Sequence, residues 1–188
     1  IIGIGAGEIE NIEPYGMDYR NAVSRLENNL KIIRLLWSDQ LNKKDFKGRF
    51  TSLKDAVLTL EPYAKGKYPP LWIGAMGPRM LRLTGELGDG WIPTGPTLPN
   101  ADEIYRTKLQ IIKESARSIG RDPDSITASL YTIALLTKTH DECHRLFRKP
   151  IAKILALATS QDGPFDAAQA KHPFSTPERN FNMLTQYV

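Results

Sequence analysis

A short apolar run, Ile1, Ile2 and Ile4, opens the chain and gives way to glycines and polar residues: Gly3, Gly5, Gly7, Glu8, Glu10, Asn11 and Glu13. The pattern predicts a strand over 1–5 that runs directly into a glycine-rich loop. Val23, Leu26, Leu30, Ile33 and Trp37 then recur at three- and four-residue spacing, which marks one apolar face of a helix over 20–37. Residues 42–62 are less regular, and Phe46, Phe50, Leu53, Val57, Leu58 and Leu60 suggest short strands in an insertion. Leu71-Trp72-Ile73-Gly74 reads as a buried strand, followed by a helix from Pro78 to Leu87 that Gly88-Asp89-Gly90 stops. A strand over 90–94 follows, and Asn100 is a fair N-cap for a helix running to Ile119. Residues 126–136 form the longest strand candidate, and a helical region is expected over 140–159.

Strand and helix patterns in this alternation predict parallel strands with helices packed outside them. The four principal strands, 1–5, 71–74, 90–94 and 126–136, amount to half of an eight-stranded barrel. The expected fold class is therefore α/β: part of a TIM-type barrel, in one domain over 1–188 with an insertion near 42–62. The chain has no initiator Met and begins inside a strand, so the natural polypeptide is expected to extend upstream.

Composition narrows the class of function. At 41% hydrophobic and 24% charged residues the chain is ordinary globular material, and no apolar run approaches a membrane span. A single cysteine, Cys143, rules out an internal disulfide and suits a reducing, cytoplasmic setting. The formal charge of +4 is mild, and the basic residues are scattered apart from Lys43, Lys44, Lys47 and Arg49. Without aromatic residues interleaved, that cluster reads as a solvated loop or hairpin, compatible with an acidic small molecule, and no nucleic-acid partner is expected. His140 and His144 lie one helical turn apart, but Asp141 stands where a zinc-binding helix of the metalloprotease type needs Glu, so no metal is expected. Trp37, Trp72 and Trp91 are expected to be core and wall residues rather than platforms for a cofactor.

Two segments carry candidate chemistry. In the first loop, the glycines let the backbone approach a flat ligand, and Glu8 supplies a carboxyl just beyond the strand end. A dinucleotide fingerprint is excluded here, because its third glycine would fall at residue 8 and no helix is expected to follow at once. In the second, Gly74-Ala75-Met76-Gly77-Pro78-Arg79-Met80, a strand enters a glycine turn and Pro78 occupies the first helical position. Backbone N–H groups and the positive helix end then face the space beyond the strand terminus, which suits a phosphate.

Taken together, the motifs are more specific. Gly-Ala-Gly-Glu-x-Glu-Asn-x-Glu-Pro-Tyr-Gly, a helix ending Ile-Arg-Leu-Leu-Trp, Pro-Pro-Leu-Trp-Ile-Gly-Ala-Met-Gly-Pro-Arg-Met-Leu, Gly-Asp-Gly-Trp and Gly-Arg-Asp-Pro occur in that order. In this the chain resembles the bacterial luciferase-like superfamily, within it most of all the deazaflavin-dependent reductases such as methylenetetrahydromethanopterin reductase and phthiodiolone ketoreductase. The resemblance implies a (β/α)8 barrel holding coenzyme F420 at the C-terminal strand ends, with FMN as the alternative cofactor of a monooxygenase. It implies that Ala6 and Gly7 lie along the deazaflavin, that Asn11 hydrogen-bonds to it and that Glu8 is the proton donor. Met76, Gly77, Arg79 and Met80 fall in the loop such relatives use for the cofactor phosphate. The implied activity is hydride transfer to or from an organic small-molecule substrate, in a homo-oligomer when the protein is full length. The alternative of another class is a shortened, non-catalytic relative.

Overall fold

The structure, a computed structural model, describes residues 1–38, 41–60, 62–64, 67–93, 101–130 and 136–147. The chain divides into two compact units, one of residues 1–92 with 108–129, the other of 93–107 with the residues from 130 onward.

The first unit is built on a parallel four-stranded sheet in the order β1 (Ile2–Ile4), β4 (Leu71–Gly74), β5 (Gly90–Ile92), β6 (Thr127–Ala128). Ile4 pairs with Ile73, Ile73 with Trp91 and Trp91 with Ala128, so the four strand ends lie side by side in register. Helix α2 (Ala22–Ser38) joins the first strand to the hairpin, α3 (Pro78–Leu87) joins β4 to β5, and α4 (Ala101–Ser118) joins β5 to β6. A one-turn α1 (Ile9–Ile12) precedes them, and an antiparallel hairpin, β2 (Lys44–Lys47) with β3 (Ser52–Ala56), fills the expected insertion.

Alternation along the strands decides what is buried. Leu71 and Ile73 are fully covered while Trp72 and Gly74 between and beyond them are not, so one face of the sheet carries the helices. Trp91, Leu30, Leu81 and Ile112 complete that layer, each at most 1% exposed, and each contributes about 1.5–3 kcal/mol of burial. On the other face the Trp72 indole lies over Gly90, where a Cβ would come within 2.6 Å of the ring.

Helix α3 meets α4 at Gly85, whose missing Cβ would strike the Ile112 carbonyl and lie 2.8 Å from Ser115 Cβ. The Ser115 hydroxyl donates to the Arg82 carbonyl at 2.9 Å, fixing that close approach. The C-terminal end of α3 is held by two arginines. Arg34 donates to the Leu87 carbonyl at 2.8 Å, and Arg121 donates to those of Gly85 and Gly88 at 2.9 and 2.8 Å. Burial pulls the Arg121 guanidinium below its ordinary pKa, Asp89 opposes that shift, and Arg34 adds to it. Cations here complement the negative end of the helix dipole.

The expected elements are present with three differences. The helix expected over 20–37 starts as a 3-10 turn, Tyr19–Asn21, before α2. Where 126–136 was expected to give the longest strand, β6 is Thr127–Ala128, with 131–135 outside the described residues. Its partner β5 is itself only three residues long, and Ser129 already turns its amide and hydroxyl onto the Trp91 carbonyl. Third, α1 begins directly after the glycine loop, where no helix was expected. The expected N-cap Asn100 and residues 148–159 lie outside the described residues. In the second unit, α5 (His140–Phe147) is capped by Thr139, whose Oγ1 accepts from the Glu142 amide, while the Glu142 carboxylate accepts from the Lys138 amide.

The tight α3–α4 contact gives a paired test. Gly85→Ala is expected to lower the free energy of unfolding by about 2–3 kcal/mol, because a backbone carbonyl must move. Gly77→Ala, with nothing within 4 Å of the added methyl, is expected to cost less than about 1 kcal/mol. Urea denaturation of both variants measures this, and equal losses would contradict the packing described.

Candidate active site

Two loops leave the sheet at the C-terminal ends of β1 and β4. Because Ile4 pairs with Ile73, they emerge as neighbours, and a Cβ on Gly74 would lie 3.8 Å from the Ile4 carbonyl oxygen. In the first loop Gly7 has φ +79°, in the left-handed region, and a Cβ there would also collide with Ile12. Its carbonyl accepts a 3.2 Å hydrogen bond from the Tyr19 hydroxyl, which ties the loop to the start of the helical segment. Gly5 has nothing within 4 Å of its absent side chain, so a ligand can reach the backbone there.

Glu8 is exposed and precedes α1, with its backbone extended. Its side chain makes no capping bond, and instead Glu8 Oε2 accepts a 3.0 Å hydrogen bond from Asn11 Nδ2. The structure therefore brings together the expected proton donor and the expected cofactor ligand, one helical turn apart, with Asn11 bonded to Glu8. Ala6 is half-buried between them and the strand.

In the second loop Gly77 is the N-cap of α3 with extended backbone and no side-chain cap, and Pro78 is the first helical residue as expected. Ala75 is buried, and its carbonyl accepts a 2.8 Å hydrogen bond from the Trp91 indole, which pins the loop's start to β5. Met76 is half-buried and Gly77 open. Met80 differs from the rest of the expected set. Its side chain is 9% exposed and belongs to the core, so its approach to a ligand is limited to the backbone.

Arg79 points elsewhere than the loop mouth. Its guanidinium donates to Ser24 Oγ at 2.7 Å and pairs with Glu27 at 3.3 Å on α2. Glu27 also pairs with Lys31 at 2.6 Å, and the Lys31 hydrogen bond, opposed by burial and assisted by Arg79, holds its carboxyl below the usual range. Trp37 stacks on Tyr68 at 4.7 Å and 5°, and Trp91 is fully buried, both as wall and core residues. Among the described residues no group of three His, Cys, Asp or Glu side chains is placed to hold a metal ion. His140 and His144 lie edge to face, ring centroids 4.4 Å apart. Among the same residues, no helix is long and apolar enough to cross a membrane.

Sequence reading missed three residues of this region. Tyr19 and Trp91 each bind a loop carbonyl from a distant point in the chain, and Asp89, read only as a helix stop, ties the opposite end of the sheet. None of the three contacts has a local sequence signal.

Parallel strands with helices outside them, and two glycine-bearing loops at adjacent C-terminal strand ends, define a part of a (β/α)8 barrel with its ligand end open. The chain belongs to the luciferase-like monooxygenase family, whose model matches residues 1–182. It is 34% identical to the phthiodiolone/phenolphthiodiolone dimycocerosates ketoreductase of Mycobacterium kansasii, an alignment spanning 94% of this chain and 46% of that one. It is 29% identical to the F420-dependent glucose-6-phosphate dehydrogenase of Microbacterium testaceum, over 75% of this chain and 41% of that one. Among solved structures, an F420-dependent secondary alcohol dehydrogenase in complex with an F420-acetone adduct matches 69% of this chain and 38% of its own. Its TM-score is 0.59 at 26% identity. The chain thus spans less than half the length of these relatives.

Gly77→Asp tests the second loop. Aspartate is a better N-cap than glycine and meets no clash, so the unliganded protein should keep its stability or gain a few tenths of a kcal/mol. Affinity for a phosphate-bearing ligand should nevertheless fall by at least about tenfold, because the new carboxylate neutralises the helix end that would face it. Thermal melting and fluorescence titration measure the two effects, and unchanged affinity would remove residues 74–80 from the site.

Proposed function

We propose that this protein is an oxidoreductase of the luciferase-like class that transfers a hydride between the deazaflavin coenzyme F420 and an organic small-molecule substrate. The observation that carries the reading is the pairing of Glu8 with Asn11 at the mouth of an open glycine loop, beside a second glycine loop that ends in a bare helix N-terminus. A relative by sequence and a relative by structure, the glucose-6-phosphate dehydrogenase and the secondary alcohol dehydrogenase, are both F420-dependent, which supports this cofactor.

The residues fit such a group. Gly5 and Gly77 leave space that a Cβ would fill, the α3 N-terminus offers backbone N–H groups to a phosphate, and Ala6 and Gly7 provide a flat wall. When bound, a deazaflavin supplies a carbon that accepts or gives up a hydride, since carbon stands where a flavin has its reactive nitrogen. The chain's own residues orient it and handle the proton. Glu8, free of a capping role, is the acid–base group, and Asn11 holds one carboxylate oxygen so that the other is presented to the ligand side. Tyr19 keeps the loop in place through the Gly7 carbonyl. Met76, Gly77 and the backbone of Arg79 and Met80 form the phosphate cradle.

The whole protein is proposed to act in the cytoplasm as a homo-oligomer. An FMN-dependent monooxygenase is the second reading, favoured only by the family's breadth, and titration with FMN beside F420 separates the two.

Glu8→Gln keeps shape and the Asn11 contact but removes the titrating proton. In the enzyme carrying this sequence, turnover should fall by roughly 10²–10⁴ with little change in cofactor affinity. Glu13→Gln, at an exposed carboxylate in the adjoining 3-10 turn, should retain most activity. Steady-state reduction of the deazaflavin at several pH values decides it. A Glu8→Gln rate above half of wild type would move the proton to another residue.

A further inference from the structure

The hairpin inserted between α2 and β4 carries a feature that the proposed hydride transfer does not use. Its turn is pressed against α2: a Cβ on Gly48 would collide with the side chain of Asn28, which is itself buried, and would lie 2.6 Å from the Thr51 carbonyl. The Gly48 amide donates to that same carbonyl at 3.2 Å, closing the turn. Packed this way, the turn brings two guanidinium groups to the Phe50 ring. Arg25 of α2 lies 5.5 Å from the ring centroid, and Arg49 lies 5.0 Å from it. Both cations are attracted to the ring, so one phenyl group gathers two like charges.

Neither guanidinium has a hydrogen bond or ion pair with a described residue. Asp18 feels the charge of Arg25, but its two oxygens are engaged by Arg20 Nε, each at 3.0 Å, and by the Arg20 amide at 2.8 Å. Two arginines brought together without a carboxylate leave their forked donors free for an anion. Arg25 follows Ser24, which binds Arg79 of the α3 first turn, and lies less than two helical turns beyond Tyr19, which binds Gly7.

We propose that Arg25 and Arg49, organised by Phe50, form a clamp for a phosphate or carboxylate group. Two sources can supply that group, the anionic part of the deazaflavin that the proposed function places at the glycine loops or a separate anionic ligand. The identity of the first source rests on that reading; the clamp itself does not.

The protein carrying this sequence is titrated calorimetrically with inorganic phosphate and with citrate at constant ionic strength, and separately with F420. Arg25→Gln and Arg49→Gln are each expected to weaken phosphate and citrate binding at least about fivefold. Phe50→Leu should weaken both in the same direction by releasing the two side chains. Arg145→Gln, on exposed α5, serves as the control and should bind as wild type. All four substitutions are at positions whose circular-dichroism melts should stay near that of wild type. If F420 affinity falls together with that for phosphate, the anion belongs to the deazaflavin; if phosphate and citrate alone are affected, the clamp serves another anionic ligand. Either division supports the clamp. Phosphate binding that is equal in wild type, Arg25→Gln and Arg49→Gln, or absent in wild type at millimolar concentration, overturns it. Failure of F420 to bind wild type would sink the proposed function and leave the phosphate result to decide the clamp.

Discussion

The carboxylate and backbone of Asp89 join more of the first unit than any neighbouring residue. Its side chain pairs with Arg34 at 2.7 Å and with Arg121 at 3.9 Å, and accepts from the Leu71 amide at 2.9 Å. Its own amide donates to the Leu71 carbonyl at 2.7 Å, and its carbonyl accepts from the Thr127 amide at 2.9 Å. One residue therefore sets the starting points of β4, β5 and β6 and ties them to the end of α2 and the turn after α4. A half-buried carboxylate is tolerable because these charges and amides partner it; removing the acid would leave the Leu71 amide without its acceptor and two arginines without their counter-charge. Since these strands are short, fixing their N-terminal ends fixes where their C-terminal ends emerge, and with them the glycine loop after β4.

That division of labour follows from parallel topology. Every strand enters at the Asp89 end and leaves at the loop end, so cohesion and chemistry are separated along the strand axis. The arginines at one end cap α3 at its negative terminus, and the bare N-terminus of the same helix opens at the other. The helix dipole is thus compensated where the fold needs stability and left uncompensated where an anion would bind.

Legibility from sequence followed the range of the determining interactions. The strand at Leu71–Gly74 and the helix at Pro78–Leu87 were readable with the bounds the structure gives, because an apolar run, a glycine turn, Pro78 at the first position and the Gly88 stop are all local. The hairpin was readable as short strands, and the basic cluster at Lys43 to Arg49 as a loop or hairpin. Of the strand expected over 126–136, the described residues show Thr127–Ala128 paired, since β-branched composition reports the capacity to pair while the partner β5 is three residues long. α1 has four residues, too few for any periodicity to show. At the site, the order of motifs identified the family and both loops, but neither the bond between Asn11 and Glu8 nor the burial of Met80 follows from spacing alone. Asp89 was equally invisible, since its partners lie 18 to 55 residues away in the chain and a Gly-Asp-Gly triplet signals only a turn.

Arg79 and the pair Arg25 and Arg49 are cations of two kinds. Arg79, expected at a phosphate, is already occupied by Ser24 and by a Glu27 carboxyl shared with Lys31, so drawing it toward a ligand would strip a partner from a partly buried acid. A phosphate at Gly77 is therefore better served by the backbone N–H groups of the α3 first turn, which need no rearrangement and suit an approach that only glycine permits. Arg25 and Arg49 carry no such commitment and are held by an aromatic ring, which attracts a guanidinium without consuming its hydrogen-bond donors. Under the proposed clamp, charge selectivity would rest on the inserted hairpin, and geometry at the proposed reacting centre on the loops after β1 and β4. Sequence changes in the insertion can then retune which anion is held without disturbing the strand ends that position Glu8.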